Sequence, residues 1–221
     1  MLIVKDIELK FKNEILLKNG NLTVNQNIYG LIATNGSGKT TLLRTLAGLY
    51  PLRRGQVFIQ DEKDGHKLTT LERKKQLFYF ESSDWFDGNL TAKDYLTFTA
   101  KEWNGTSEMI ETAIDFWQLR SFYKKPIRKY SLGMKQKTLL ALYYVSNTHY
   151  WLLDEPTIGL DLESQSLFIN FMKVANEQGV SILFSSHQND SMISVANAFY
   201  ILENKQLHYK AATIFNESRG I

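Results

Sequence analysis

The chain has 221 residues, 43% hydrophobic and 22% charged, enough for one large core or one core with an attached subdomain. Its net charge of +3 is too small to argue for nucleic acid, and the lack of cysteine excludes disulfides and thiol catalysis. No apolar run approaches the ~20 residues of a spanning helix, and the opening MLIVKDIELKF alternates and carries charge, so it reads as neither a signal peptide nor a membrane anchor.

Leu2 to Phe11 alternates as a strand does, and on pattern alone Phe11 is an apolar strand end. Ile15 to Leu17 and Asn21 to Val24 read as two further short strands, which predicts a small antiparallel sheet beside the main one. Ile28 to Ile32 is apolar and reads as buried. It runs through Ala33 into TNGSGKT, and Leu42, Leu43, Leu46 and Leu49 then fall on one helical stripe. Strand, glycine-rich loop and helix in this order make a nucleoside triphosphate site. Gly36 and Gly38 let backbone amides curl around phosphate, and the helix start favours the same anion. Lys39 would reach the β and γ phosphates, and the Thr40 hydroxyl would hold Mg²⁺. The full pattern begins with glycine, and here that place is Ala33, whose methyl group has to be absorbed by the strand exit.

Gln56 to Gln60 reads as a strand, Asp61 to Lys67 as a surface loop, and Thr69 to Lys75 as a short charged helix or turn. Leu77 to Phe80 is a buried strand ending at Glu81, either a solvated strand end or a ligand position at the carboxyl edge of an open sheet. Residues 85–130 read as a helical subdomain, with Thr91 and Ser107 as caps. Its aromatic residues are mostly core, with some left for a partner. Ser131 caps another helix with Gly133 in its first turn; such a start is anion-ready, yet most caps only begin helices. Tyr150 to Glu155 is an apolar strand ending in two carboxylates before Pro156. Asp154 can face the Mg²⁺ at Thr40, and Glu155 a water near the γ phosphate. Asp161 starts a helix that Gly179 closes. A buried strand from Val180 ends in Ser185, Ser186 and His187, where a single histidine on its own reads as structural. Ser191 to Val195 suits a short helix, and Phe199 to Tyr209 a hairpin turning at Asn204 and Lys205.

Taken together these motifs resemble the ATP-binding subunit of ATP-binding cassette transporters over almost the whole chain. ATNGSGKT resembles Walker A, Glu81 falls at the Q-loop glutamine, and YSLGM (Tyr130 to Met134) is similar to the signature LSGGQ. LLDEP (Leu152 to Pro156) resembles Walker B with its following glutamate, and GLD (Gly159 to Asp161) the D-loop. His187 falls at the switch histidine and Phe11 at the aromatic that stacks on adenine. The chain departs from the family at Ala33, at Glu81, and at Leu132 and Met134 of the signature. The signature variant also resembles those of two-component exporters of Gram-positive bacteria.

The resemblance implies an α/β fold, a P-loop nucleoside triphosphate hydrolase core with an N-terminal antiparallel β subdomain and an inserted helical subdomain. Residues 1–221 form a single ATPase domain, with 1–84 and 131–221 as core and 85–130 as the helical part. It implies hydrolysis of ATP to ADP and phosphate, with Glu155, His187 and Lys39 catalytic and Thr40, Asp154 and Glu81 toward Mg²⁺. ATP contacts fall to Phe11, Asn35, Gly36, Ser37, Gly38, Lys39, Thr40, Thr41 and Glu81, while Ser131 and Gly133 cover the ATP of a partner. The implied partners are a separate transmembrane permease and an identical or similar ATPase subunit, paired head to tail, with no nucleic acid. The implied place is the cytoplasmic face of the cell membrane, held peripherally through the permease, with transport leaning to export. A soluble cassette ATPase of translation or repair would carry two cassettes or a long coiled-coil insertion, and the sequence shows neither. A kinase or GTPase leaves YSLGM, LLDEP and His187 unexplained. A non-hydrolysing scaffold is opposed by Glu155, though Ala33 and Glu81 keep it open.

Overall fold

A computed structural model describes residues 1–61, 65–187 and 190–217. Of the loop expected over 61–67, residues 62–64 lie outside the described residues. β1 (Leu2–Phe11) pairs antiparallel with β2 (Glu14–Val24) on one side and β4 (Arg54–Ile59) on the other. The two short strands expected at Ile15 and Asn21 are one continuous strand. Asn19 takes a left-handed φ of 49°, and Gly20 pairs with Ile7 between two irregularities of register, so the strand bulges there rather than ending. A Cβ on Gly20 would lie 2.5 Å from Leu17 Cδ2, so the missing side chain makes room for Leu17 in the core.

The main sheet runs β5 (Leu77–Tyr79), β6 (Tyr150–Asp154), β7 (Ser181–Ser186), β3 (Ile28–Ile32), β8 (Ala198–Glu203), β9 (Gln206–Ala211). The first five are parallel, and β9 returns antiparallel through Asn204 and Lys205, both at positive φ. Strands β3 and β7 are buried along their whole length, as strands covered on both faces must be. The helices are α1 (Lys39–Leu46), α2 (Thr70–Gln76), α3 (Ala92–Trp103), α4 (Ser107–Phe116), α5 (Leu132–Val145), α6 (Leu162–Glu177) and α7 (Ala212–Glu217). Thr69, Thr91, Ser131 and Asp161 each accept a backbone N–H at a helix start. For α4 the cap is Thr106, whose hydroxyl accepts from Met109 at 3.2 Å, one residue ahead of the expected Ser107.

The two sheets share a hydrophobic core and are bonded to each other by the Lys18 amide, which donates to the Lys205 carbonyl at 2.9 Å, and by the Tyr200 side chain. Tyr200 Oη accepts from the Thr23 amide at 2.9 Å and donates to the Thr23 carbonyl at 2.8 Å. Burial pushes the Tyr200 phenol up to about 12, so the proton needed for this double contact is retained at neutral pH. Within the helical segment, Trp117, Phe122 and Tyr130 are buried as core. Trp117 packs on Phe168 and Phe171 of α6, so this segment shares its core with the helices that follow it.

Tyr143 of α5 holds two strand ends in place. Its buried hydroxyl donates to the Leu152 carbonyl at 2.5 Å and accepts from the Phe80 amide at 3.2 Å. Phe80 immediately precedes Glu81, and Leu152 lies two residues before Asp154. Replacing Tyr143 by Phe keeps the ring and leaves these groups short of a partner. The variant is expected to fold and to lose about 1–3 kcal/mol of stability. Urea unfolding midpoints test this; coincident curves for the two proteins would contradict it.

Candidate functional site

The phosphate loop leaves β3 at Ala33. That residue is buried, packs with the core of the small sheet side and is not at positive φ, so its methyl group is accommodated where glycine was expected. Positive φ falls instead at Gly36 (75°) and Gly38 (107°), where side chains would be strained. Ser37 Oγ donates to the Thr34 carbonyl at 2.7 Å and closes the loop on itself. Asn35 is exposed, and Thr41 is the third residue of α1, with its carbonyl accepting from the Thr45 hydroxyl. Lys39 is buried; its Nζ donates to the Ala33 carbonyl at 3.1 Å.

Three parallel strand ends meet the loop. Thr40 Oγ1 donates to Asp154 Oδ2 at 2.6 Å, spanning the gap left by β7, which lies between β3 and β6. Ser185, in register with Asp154 on β7, fills that gap. Its hydroxyl donates to Asp154 Oδ1 and accepts from the Glu155 amide at 3.0 Å. Glu155 leaves β6 at a left-handed φ of 44°, which turns its carboxylate back over the loop. Glu155 Oε1 stands 3.7 Å from Lys39 Nζ and 3.1 Å from His187 Nε2. The structure thus brings Lys39, Thr40, Asp154, Glu155 and His187 into one cluster.

Glu81 borders the same region, in a cleft of 350 Å³ that also touches Thr40, Asp154 and Glu155. It was expected to open toward the metal. Instead both of its oxygens are engaged: Arg44 Nε and Nη2 donate to Oε2 and Oε1, and Tyr79 Oη donates to Oε2 at 3.0 Å. Phe11 stands apart from the cluster. Its ring is 43% exposed at the end of β1, 6.4 Å from Tyr50, with Lys12 over one face. Ser131 and Gly133 open α5 beside the D-loop, where a Cβ on Gly133 would lie 3.2 Å from the Gly159 carbonyl. Leu132, in place of a glycine, packs against Gly159.

Burial raises the Asp154 carboxyl above its usual range; the Ser185 and Thr40 hydroxyls lower it again, and the charges of Glu155 and Glu81 raise it. A cation beside Asp154 would relieve that penalty. Among the described residues no group of three or more His, Cys, Asp or Glu is arranged to hold a metal ion. The Thr40 hydroxyl and the Asp154 carboxylate are hard oxygen donors side by side, which suits Mg²⁺ completed by phosphate and water. Sequence reading had not singled out Arg44, Tyr79 or Ser185 for the site. Arg44 was recoverable in principle, since it lies four residues after Thr40 on the same face of α1.

A second hollow, of 330 Å³, lies between α1, β5 and α3 and is lined mainly by apolar side chains. Leu49, Trp85 and Phe98 on its walls are 56%, 42% and 59% exposed.

Comparison with known proteins agrees with this geometry. The ABC transporter family model matches residues 17–158. The chain is 31% identical over 195 residues to the cytochrome c biogenesis ATP-binding export protein CcmA of Reclinomonas americana, covering 86% of this chain and 85% of that protein. It is 28% identical over 214 residues to the putative ABC transporter ATP-binding protein AlbC of Bacillus subtilis (strain 168), covering 94% and 90%. A solved ATP binding subunit of an ABC transporter shares the fold, with a TM-score of 0.87 at 23% identity over 100% of this chain and 93% of that one. The chain therefore belongs to the ABC transporter family, as an ATP-binding subunit with ATPase activity.

Proposed function

We propose that this subunit hydrolyses Mg-ATP to drive export through a separate membrane permease. The observation that carries the hydrolytic part is Glu155, whose carboxylate reaches both Lys39 and His187 beside the Thr40–Asp154 pair. Lys39 and the loop amides neutralise phosphate charge. Mg²⁺ held by Thr40 and Asp154 would supply further charge neutralisation on the triphosphate. Glu155 orients the attacking water and accepts its proton, and His187 holds Glu155 on the other side. Glu81 remains near the metal side as a paired carboxylate. Phe11 offers its open face to adenine.

Ser131 caps α5 with Gly133 in its first turn, an anion-ready helix start, which supports a head-to-tail pair in which each subunit covers the ATP of the other. The apolar hollow at Leu49, Trp85 and Phe98 supports docking of a permease segment, and residues 85–130 would move with it as the pair closes. No helix among the described residues is long and apolar enough to cross a membrane, so the cytoplasmic membrane face is reached through the permease. Export is favoured by the name of the relative CcmA.

Two measurements test this reading. Glu155→Gln is expected to retain ATP binding, to lose about 10²–10⁴-fold in turnover, and to accumulate as an ATP-bound dimer on size exclusion. Equal ATPase rates would place activation of the water elsewhere. Phe11→Ala is expected to weaken nucleotide binding by about 1–3 kcal/mol, the scale of a base stacked on an aromatic ring. Unchanged affinity by calorimetry would remove Phe11 from the base site.

A further inference from the structure

We propose that Arg44 is a positioning residue that converts Glu81 from a bare acid into a neutral paired unit, and so sets how strongly nucleotide binding depends on Mg²⁺. The inference rests on reading the cleft as a Mg-ATP site. Glu81 stands where an uncharged side chain was expected, within electrostatic reach of Asp154. A bare carboxylate at this point would add to Asp154 and Glu155, repel a triphosphate and attract a divalent cation.

The structure answers that charge with a built partner. The Arg44 guanidinium meets the carboxylate side on, one nitrogen to each oxygen, the geometry that holds a planar pair most firmly. Glu81 is only 13% exposed, so water does little to screen the contact from its side. Tyr79 supplies a third donor. Burial, followed by the charges of Asp154 and Glu81, raises its phenol well above the usual range, so it stays protonated and donates. Arg44 follows Thr40 by one helical turn, so α1 presents a metal-side hydroxyl and a compensating cation on one face.

The test uses the full chain and a non-hydrolysable ATP analogue, titrated by calorimetry with Mg²⁺ and with EDTA. The quantity read is the ratio of the metal-free to the Mg²⁺ dissociation constant. In Arg44→Met this ratio is expected to rise by about tenfold, the scale of one unpaired charge at a few ångströms in partly solvated protein. Arg44→Lys keeps the charge and should return most of the wild-type ratio. Glu81→Gln leaves Arg44 unpaired, and metal-free binding should tighten by about tenfold. The double variant Arg44→Met/Glu81→Gln should return to within about twofold of wild type, because removing both charges leaves the site as neutral as the intact pair. A wild-type ratio in Arg44→Met overturns the proposal, as does a double variant that keeps the raised ratio of Arg44→Met, since Arg44 would then not act through Glu81. If Arg44→Met does not fold, an unchanged metal-free affinity in Glu81→Gln overturns it. Failure of the wild-type chain to bind the analogue at all would defeat the reading of the cleft and this inference together.

Discussion

The hydrogen bond between Thr40 and Asp154 fixes the geometry on which the rest of the site depends. It joins residues 114 apart in sequence, and it forms only because β6, β7 and β3 run parallel in a register that ends all three at the same edge. A slip of one residue along any of these strands would turn its last side chain to the other face of the sheet. The neighbouring strand is therefore more than a spacer. Ser185 occupies the ground between the two partners and ties the Asp154 carboxylate to the Glu155 backbone in one hydroxyl. The Asp154 carboxylate and the Glu155 backbone thus share a single anchor.

Much of this was legible because it is local. The phosphate loop, the caps at Thr91, Ser131 and Asp161, and the hairpin at Asn204 each depend on a few adjacent residues whose chemistry allows little else. The buried strands were readable from their apolar runs. What escaped was long in range or decided by packing. Asn19, Gly20 and Asn21 look like a turn, yet β2 runs through them with a shifted register on either side of the Ile7–Gly20 pair, and the bare Gly20 leaves room for Leu17. Ala33 looked like a steric problem and is a core residue. Arg44 and Glu81 are 37 residues apart, and nothing in either segment names the other.

The aromatic residues divide on the same principle. Periodicity placed most of those in the helical segment in the core, and Trp117, Phe122 and Tyr130 are there. It could not separate out Trp85 and Phe98, because exposure depends on how α3 leans against β5 and α1. Their rings line a wall of the hollow while Phe78, on the adjoining strand, is buried against Trp103 and Tyr143. An apolar groove is thereby built on the far side of the strand that leads into Glu81, so the surface offered to a partner and the acid beside the metal side are separated by a few residues of one extended segment.

The Tyr200 hydroxyl, bonded to both backbone groups of Thr23, removes a degree of freedom from the molecule. Shear between the two sheets would have to break both contacts together. With the Lys18 amide on the Lys205 carbonyl, they couple the sheet that carries Phe11 to the sheet that carries the phosphate loop. A nucleotide gripped at both Phe11 and the phosphate loop, as proposed, would therefore meet a fixed span between them.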